Sequence, residues 1–395
     1  MTTTIRALIY AGLAIASAAP AARAQVDTVR RDSLARPFVR GGTFDKPYLA
    51  NLMGRTAIGG YAEAHARWQQ VDGLTDEATF EAKRFNLFAS SRVSDFVRIA
   101  AELEFEDGAR EIALEYGAID LLIHPGFTIR AGMILSPLGR FNLAHDSPKN
   151  EFTDRPLVST DLLGATLSEP GFGALGLVPL AHDGRVTFEG YFTNGFNDGL
   201  ITASEAGTRI AFGRGNLEDN NGSPAFVGRV AFSQGLDHEI GFSTHVGAYN
   251  VFDVEGTAVD RRRNLTLSAV DAESQVFGVR LSGEAALASI DIPPGLDGIY
   301  SNRQKGFYVE GIRPFGRGWL RTMPRSELAA KLRWDYVDYD ARRRGQTTAQ
   351  LTAGVNFRPT AESVLKLDYV RGRGRDEFNN LARYAFVLVS MATYF

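Results

Sequence analysis

The 395-residue chain contains no cysteine and only 5 methionines, so no disulfide can brace it in an oxidising compartment. It has no strong charge of one sign. Its 43 Lys and Arg stand against 46 Asp and Glu, which argues against a nucleic-acid binder that depends on a positive field. Beyond the N-terminus it has no apolar run of about 18 residues, which excludes a helical membrane protein. Its six histidines are scattered, with none of the close spacings of a metal site, so no metal and no cofactor is expected. What is abundant is Gly (41), Phe (26) and Tyr (13). That surplus gains meaning only from its period along the chain.

The first residues read as an export signal. Arg6 supplies the positive start, and an apolar stretch with Leu8, Ile9, Leu13 and Ile15 follows. Pro20 breaks it, and Ala22-Arg23-Ala24 is a small-x-small cleavage site before Gln25. Residues 1–24 are therefore expected to be a signal peptide. Residues 25–54 lack a strong period and are interrupted by Pro37, Gly41-Gly42 and Pro47, so they are expected to be a periplasmic lead-in or partial plug.

From residue 55 onwards the dominant period is two. In one stretch Val97, Ile99, Ala101, Leu103 and Phe105 share a face opposite Arg98, Glu102, Glu104 and Glu106. In another, Leu328, Ala330, Leu332, Trp334 and Tyr336 oppose Glu327, Lys331, Arg333 and Asp335. Such segments outlast ordinary globular strands and match the tilted length that crosses a bilayer. Backbone groups in lipid must all be paired, so strands that cross it must close on themselves. Strands are predicted at 55–70, 79–93, 95–107, 110–124, 126–138, 172–181, 184–198 and 224–235. The remainder are predicted at 238–252, 263–271, 275–290, 303–313, 326–339, 346–358, 361–374 and 381–395. The expected fold is all-β: a transmembrane antiparallel β-barrel of about 16 strands over 55–395, with 14 or 18 left open. Tight connections at Ser94-Asp95, Pro125, Asp183, Leu236-Asp237 and Thr360 alternate with long loops at 139–171, 199–223 and 291–302, which places the short turns on the periplasmic side. The turn near Asp107-Gly108 and the long connection Pro314 to Pro324 break that rule.

The final strand, Phe386 to Phe395, is alternating and aromatic and resembles the assembly signal of bacterial outer-membrane proteins. The run Ile129 to Asn142, with His145-Asp146-Ser147-Pro148, Asp154-Arg155-Pro156 and Ser168-Glu169-Pro170-Gly171, resembles the phosphate-selective porins of the O and P type. Ser326-Glu327-Leu328 through Arg333-Trp334-Asp335-Tyr336-Val337-Asp338 resembles a later strand of the same family. The resemblance covers most of 55–395. It implies a sixteen-stranded porin of a Gram-negative outer membrane, a homotrimer, and a long third external loop folded into the lumen.

Function is then expected to be passive diffusion of small hydrophilic solutes or ions, including anions such as phosphate, without catalysis. Constriction candidates on the third loop are Arg140, His145, Asp146, Lys149, Glu151, Asp154 and Arg155. The lumen wall is expected to carry Arg84, Arg92, Arg98, Arg130, Arg229, Arg280, Lys331, Arg333, Arg358 and Lys366. Facing them are Glu102, Glu104, Glu106, Glu189, Glu284, Glu310, Glu327, Asp335 and Asp368. The two signs nearly cancel, which weakens a phosphate-specific reading. Mutual pairing is the expected role of most of these charges. Outer-membrane lipid and lipopolysaccharide are the expected surroundings. The runs Arg261-Arg262-Arg263 and Arg342-Arg343-Arg344 fall at outer strand ends, where lipopolysaccharide or solvent would meet them. Gly213 to Gly222 reads as a mobile external loop. Two other classes stay open. One is an outer-membrane barrel hydrolase, for which Ser243 and His245 share a face. The other is a closed structural or adhesin barrel plugged by its N-terminal segment.

Overall fold

A computed structural model describes residues 42–49, 56–203, 207–235 and 237–395. The expected signal peptide, and all of 25–54 except 42–49, lie outside the described residues. The first half of the chain contributes β1 (Thr56–Val71), β2 (Leu74–Arg92), β3 (Val97–Glu106), β4 (Glu111–His124) and β5 (Phe127–Leu135). After a long connection come β6 (Ser168–Pro179), β7 (Gly184–Thr193), β8 (Ala225–Gln234) and β9 (His238–Ala248). Two short strands, β10 (Asp253–Val254) and β11 (Thr257–Ala258), pair only with each other in the next connection. The rest are β12 (Asn264–Val276), β13 (Val279–Ile290), β14 (Arg303–Phe315), β15 (Glu327–Asp338), β16 (Thr347–Arg358), β17 (Ser363–Arg375) and β18 (Leu381–Tyr394).

The sixteen long strands form one closed antiparallel barrel in which each pairs with its neighbours in sequence. Closure is made by β1 against β18, in a register running from Tyr61 opposite Tyr394 to Val71 opposite Tyr384. No edge of the long sheet is left unpaired, which is what a sheet in a non-hydrogen-bonding medium requires.

All sixteen predicted strands are present, with shifted ends. The stretch 71–78 is not a loop. Asp72 and Gly73, at φ 48° and 84°, make a two-residue turn and β2 starts at Leu74. Both central residues take positive φ, the geometry that Asp-Gly favours in a hairpin matched to strand twist. Strand β5 stops at Leu135, and β12 runs on to Val276, where Phe277-Gly278 turns the chain. The connections at the end where β1 begins are short, except that from β14 to β15. The opposite end carries the long connections β5–β6, β7–β8, β9–β12 and β13–β14, together with the short turns after β1 and β3.

Burial is inverted relative to a soluble sheet. On β3, Glu102 is 3% exposed while its neighbour Leu103 is 41% exposed. On β15, Lys331, Arg333 and Asp335 are buried, whereas Leu332 and Trp334 are more than half exposed. On β16, Gln350, Thr352 and Asn356 are buried and Leu351 and Val355 exposed. Alternation thus gives the barrel an apolar outer face and a charged inner one. Replacing Leu351, near the middle of β16, with Arg should destabilise the barrel in phospholipid vesicles by about 2–4 kcal/mol. Leu351→Ile should leave stability near the parent. Urea unfolding of the two vesicle-folded variants measures the difference.

Candidate functional site

The connection between β5 and β6, residues 136–167, contains a helical turn at Arg140–Leu143 and another at Val158–Leu162. Asn142 ties its two ends together. Its Nδ2 donates to the Ser136 and Leu167 carbonyls, at 2.7 and 2.9 Å, and its Oδ1 accepts from the Leu167 N–H at 2.8 Å. Between those ends the connection is bonded to charged residues of strands around the barrel.

Each expected constriction residue has a definite place. Arg140 pairs with Glu273 of β12 at 3.2 Å and Glu239 of β9 at 3.7 Å. His145 is buried, with Nδ1 on the Asn142 carbonyl at 2.8 Å and Nε2 on Glu115 of β4 at 2.6 Å. Burial opposes charging of the imidazole, and Glu115 more than offsets it, so its pKa rises above the usual histidine range. Asp146 accepts from the Tyr394 hydroxyl of β18 at 2.8 Å and pairs with Lys46 at 2.6 Å. Glu151 pairs with Arg280 of β13 at 2.6 Å and Arg358 of β16 at 3.1 Å, and accepts from Asn356 Nδ2 at 2.6 Å. Asp154 pairs with Arg67 of β1 at 2.7 Å. Arg155 approaches Glu104 of β3 at 4.0 Å. Lys149 alone of the seven is exposed, and it borders two cavities.

Backbone groups complete the seams. Thr153 N–H donates to Asp368 of β17 and Leu157 N–H to Asp335 of β15, at 2.9 and 3.1 Å. Arg333 Nη1 donates to the Asp154 carbonyl at 3.0 Å, and Lys366 Nζ to the Ser147 carbonyl at 2.9 Å. Phe141 N–H and Ser159 Oγ both donate to Glu284 of β13. The connection therefore contacts strands from β1 to β18, including both sides of the closure.

Several of the charges named for the wall are buried and cross-linked, whereas Arg92 is exposed. Arg98 and Arg130 converge on Asp120, at 2.6 and 2.7 Å. Arg84 meets Glu63, Glu104 and Glu106 within 3.0 Å. Arg229 pairs with Asp271 and Glu239, Lys331 with Asp368, and Arg333 with Asp335. Several partners escaped the sequence reading: Glu63, Glu115, Asp120, Glu239, Asp271 and Glu273. Glu115 has a physical reason. A register shift between Glu102 and Leu103 leaves Glu115 as the extra residue of a bulge on β4, so Glu115 and Tyr116 are both buried and the alternation breaks.

The remaining sequence signals resolve plainly. Ser243 and His245 are buried on β9, but Ser243 Oγ accepts from the Gly139 N–H and His245 Nε2 lies 3.1 Å from Glu169 Oε1. Ser243 thereby holds the β5–β6 connection and His245 holds β6. In the Gly213–Gly222 segment Asn220 and Asn221 donate to the Tyr249 and Ala248 carbonyls. Arg261 and Arg263 pair with Asp291, and Arg343 donates to the Asp297 and Gly298 carbonyls.

Space remains beside the connection. A cavity of about 150 Å³ is bordered by Arg140, Lys149, Glu151, Glu273, Arg280 and Glu310. A second, of about 500 Å³, shares Lys149, Glu151 and Arg280 with it and reaches Gly278, Pro314 and Arg317 at the short-turn end. The two lie along the β12–β16 side, end to end.

No protein-family model matches the chain. An "Uncharacterized protein" of Aquifex aeolicus (strain VF5) is 24% identical over 358 residues, 82% of this chain and 77% of that protein. The outer membrane channel DcaP of Acinetobacter baumannii superposes with a TM-score of 0.55 at 14% identity, over 86% of this chain and 97% of DcaP. OmpT of Vibrio cholerae, in its trimer form, gives 0.54 at 10% identity, over 87% and 100%. OmpF of Salmonella typhi gives 0.53 at 11% identity, over 86% and 98%. The chain has the porin barrel fold. At such identities the likeness extends to the sixteen-stranded architecture and no further.

The seating of the β5–β6 connection should depend on pH through Glu151. Burial disfavours its charge, but Arg358 and Arg280 overcome that and hold its pKa at about 2. A depressed carboxylate stabilises fully above its ordinary value, near 4.5, and progressively less as pH falls from there through about 2. Pepsin should leave 136–167 uncut at pH 4 and cleave it near pH 2. Glu151→Gln should make the same segment susceptible already at pH 4; equal resistance in both proteins would contradict this anchoring.

Proposed function

We propose that the chain is an outer-membrane porin, a water-filled channel for passive diffusion of small hydrophilic solutes and ions across a bacterial outer membrane. One observation carries the reading: a closed barrel has its charge inside and its large apolar side chains outside. That distribution suits a lipid exterior and a hydrated interior, and it is costly in any other setting. The porin fold of DcaP and OmpF supports it, and the trimer form of OmpT supports a homotrimer.

In this reading the β5–β6 connection lies across the lumen and forms the constriction. The passage beside it is bordered by Arg140, Lys149, Arg280 and Arg358 and by Glu151, Glu273, Glu310 and Glu327. With Arg317 and Asp45, which also border it, five cations face five anions, and Glu151 is already bound to two arginines. Such a wall discriminates by size more than by sign, so we favour a general diffusion channel over a phosphate-selective one. Transport then needs no catalytic group and no cofactor. The residues bordering the passage orient water and counter-ions, and the paired charges keep the wall rigid.

Purified protein in a planar bilayer should show stepwise conductance in potassium chloride. Arg280→Ala, which removes a side chain bordering both cavities, should enlarge each step. Millimolar inorganic phosphate should leave the chloride current unchanged. Absence of steps would refute the channel, and a saturable block by phosphate would restore the phosphate-selective reading.

A further inference from the structure

Residues 42–49 form no strand, yet three of their side chains are received by built sites on the inner wall. Phe44 lies beneath the Arg98 guanidinium at 3.7 Å and meets the Tyr116 ring edge-on. Lys46 is 3% exposed. Its Nζ is 3.0 Å from Glu102 Oε2 on β3 and 2.6 Å from Asp146 Oδ2 on the β5–β6 connection. Tyr48 packs near Phe88 and Tyr394 and covers Gly59 of β1. A Cβ on Gly59 would sit 2.4 Å from the Tyr48 ring, so the bare backbone there is the floor of the tyrosine site. Successive contacts thus pass from β3 and β4 to β1, β2 and β18, across the wall rather than along it.

Two further observations give the segment a role. Asp45 borders the smaller cavity together with Arg140 and Glu273, so the segment reaches the open space. The cavities lie on the β12–β16 side, whereas Phe44, Lys46 and Tyr48 cover β1 to β4. Lys46 also joins the segment to both β3 and the β5–β6 connection, through a carboxylate on each.

We infer that the constriction is made of two chain segments, with residues 42–49 forming an internal strap that seals the β1–β4 side and confines permeation to the β12–β16 side. Lys46 is its anchoring residue, because its ammonium pairs with Glu102 on β3 and Asp146 on the β5–β6 connection together. Without that ammonium two buried carboxylates are left facing each other, and the tie between segment, wall and connection is lost. The inference rests on the channel reading.

The test uses the full-length protein, a variant lacking residues 26–49, and the substitutions Lys46→Met and Lys46→Arg, each folded into planar bilayers. The deletion should raise single-channel conductance at least about two-fold, because the sealed side opens to water. Lys46→Met keeps the aliphatic stem but not the ion pairs, so it should raise conductance towards that of the deletion. Lys46→Arg should retain the parental conductance. Parental conductance in both the deletion and Lys46→Met would overturn the strap and leave the channel standing. Silence of the parent and the deletion alike would overturn both. A silent parent with a conducting deletion would overturn the open β12–β16 path in favour of a barrel closed by its N-terminal segment.

Discussion

Every charge on the inner face of a closed barrel must find a partner or water, because the wall behind it is apolar. That requirement organises the molecule. Asp120 holds Arg98 and Arg130, Asp271 holds Arg229, and Asp368 holds Lys331. The same requirement seats the β5–β6 connection, whose Glu151, Asp154 and His145 are matched to Arg280, Arg67 and Glu115. A buried ion pair adds little net stability compared with a well-packed apolar contact, but breaking one is costly. Such seams are better suited to fixing where a segment lies than to holding the barrel closed. Closure comes instead from the continuous ladder, completed by β1 on β18.

Apolar packing divides the remaining labour. Val158, Leu162 and Leu163 of the β5–β6 connection pack with Phe196, Leu200 and Ile210 of the β7–β8 connection and with Leu265 and Leu267 on the wall. Phe152 packs separately against Ile312 and Ala329. The connection is therefore apolar where it meets other loops and ionic where it crosses the charged wall. This explains why one stretch of sequence carries both hydrophobic anchors and an unusual density of charge.

The barrel was legible in the sequence because a period of two is a local property. Leu328 to Tyr336 announces its strand without any knowledge of its neighbours. The exceptions are equally local in cause. Leu74 to Phe80 alternates among acidic and threonine residues, so β2 begins earlier than its apolar content suggests. The bulge at Glu115 places two adjacent residues inside. The site was legible only in part. The residue types in the long connection marked it, but its partners lie far away in sequence: Thr153 meets Ser390 and Asp368, and Lys46 meets Asp146. No periodicity encodes such pairings. The segment 42–49 lacks a period altogether, and its importance appears only when Phe44, Lys46 and Tyr48 are seen against the wall.

The absence of cysteine, which first excluded disulfide support, makes the central claim directly measurable. Thr153 Oγ1 lies 2.9 Å from Ser390 Oγ, joining the long connection to the last strand across the chain closure. The double variant Thr153→Cys, Ser390→Cys would carry the only two thiols in the protein. If the connection is seated on the inner wall, the folded variant forms this disulfide on mild oxidation, seen as a faster band on a non-reducing gel after denaturation. Two free thiols that stay reactive towards a water-soluble maleimide under the same conditions would contradict it.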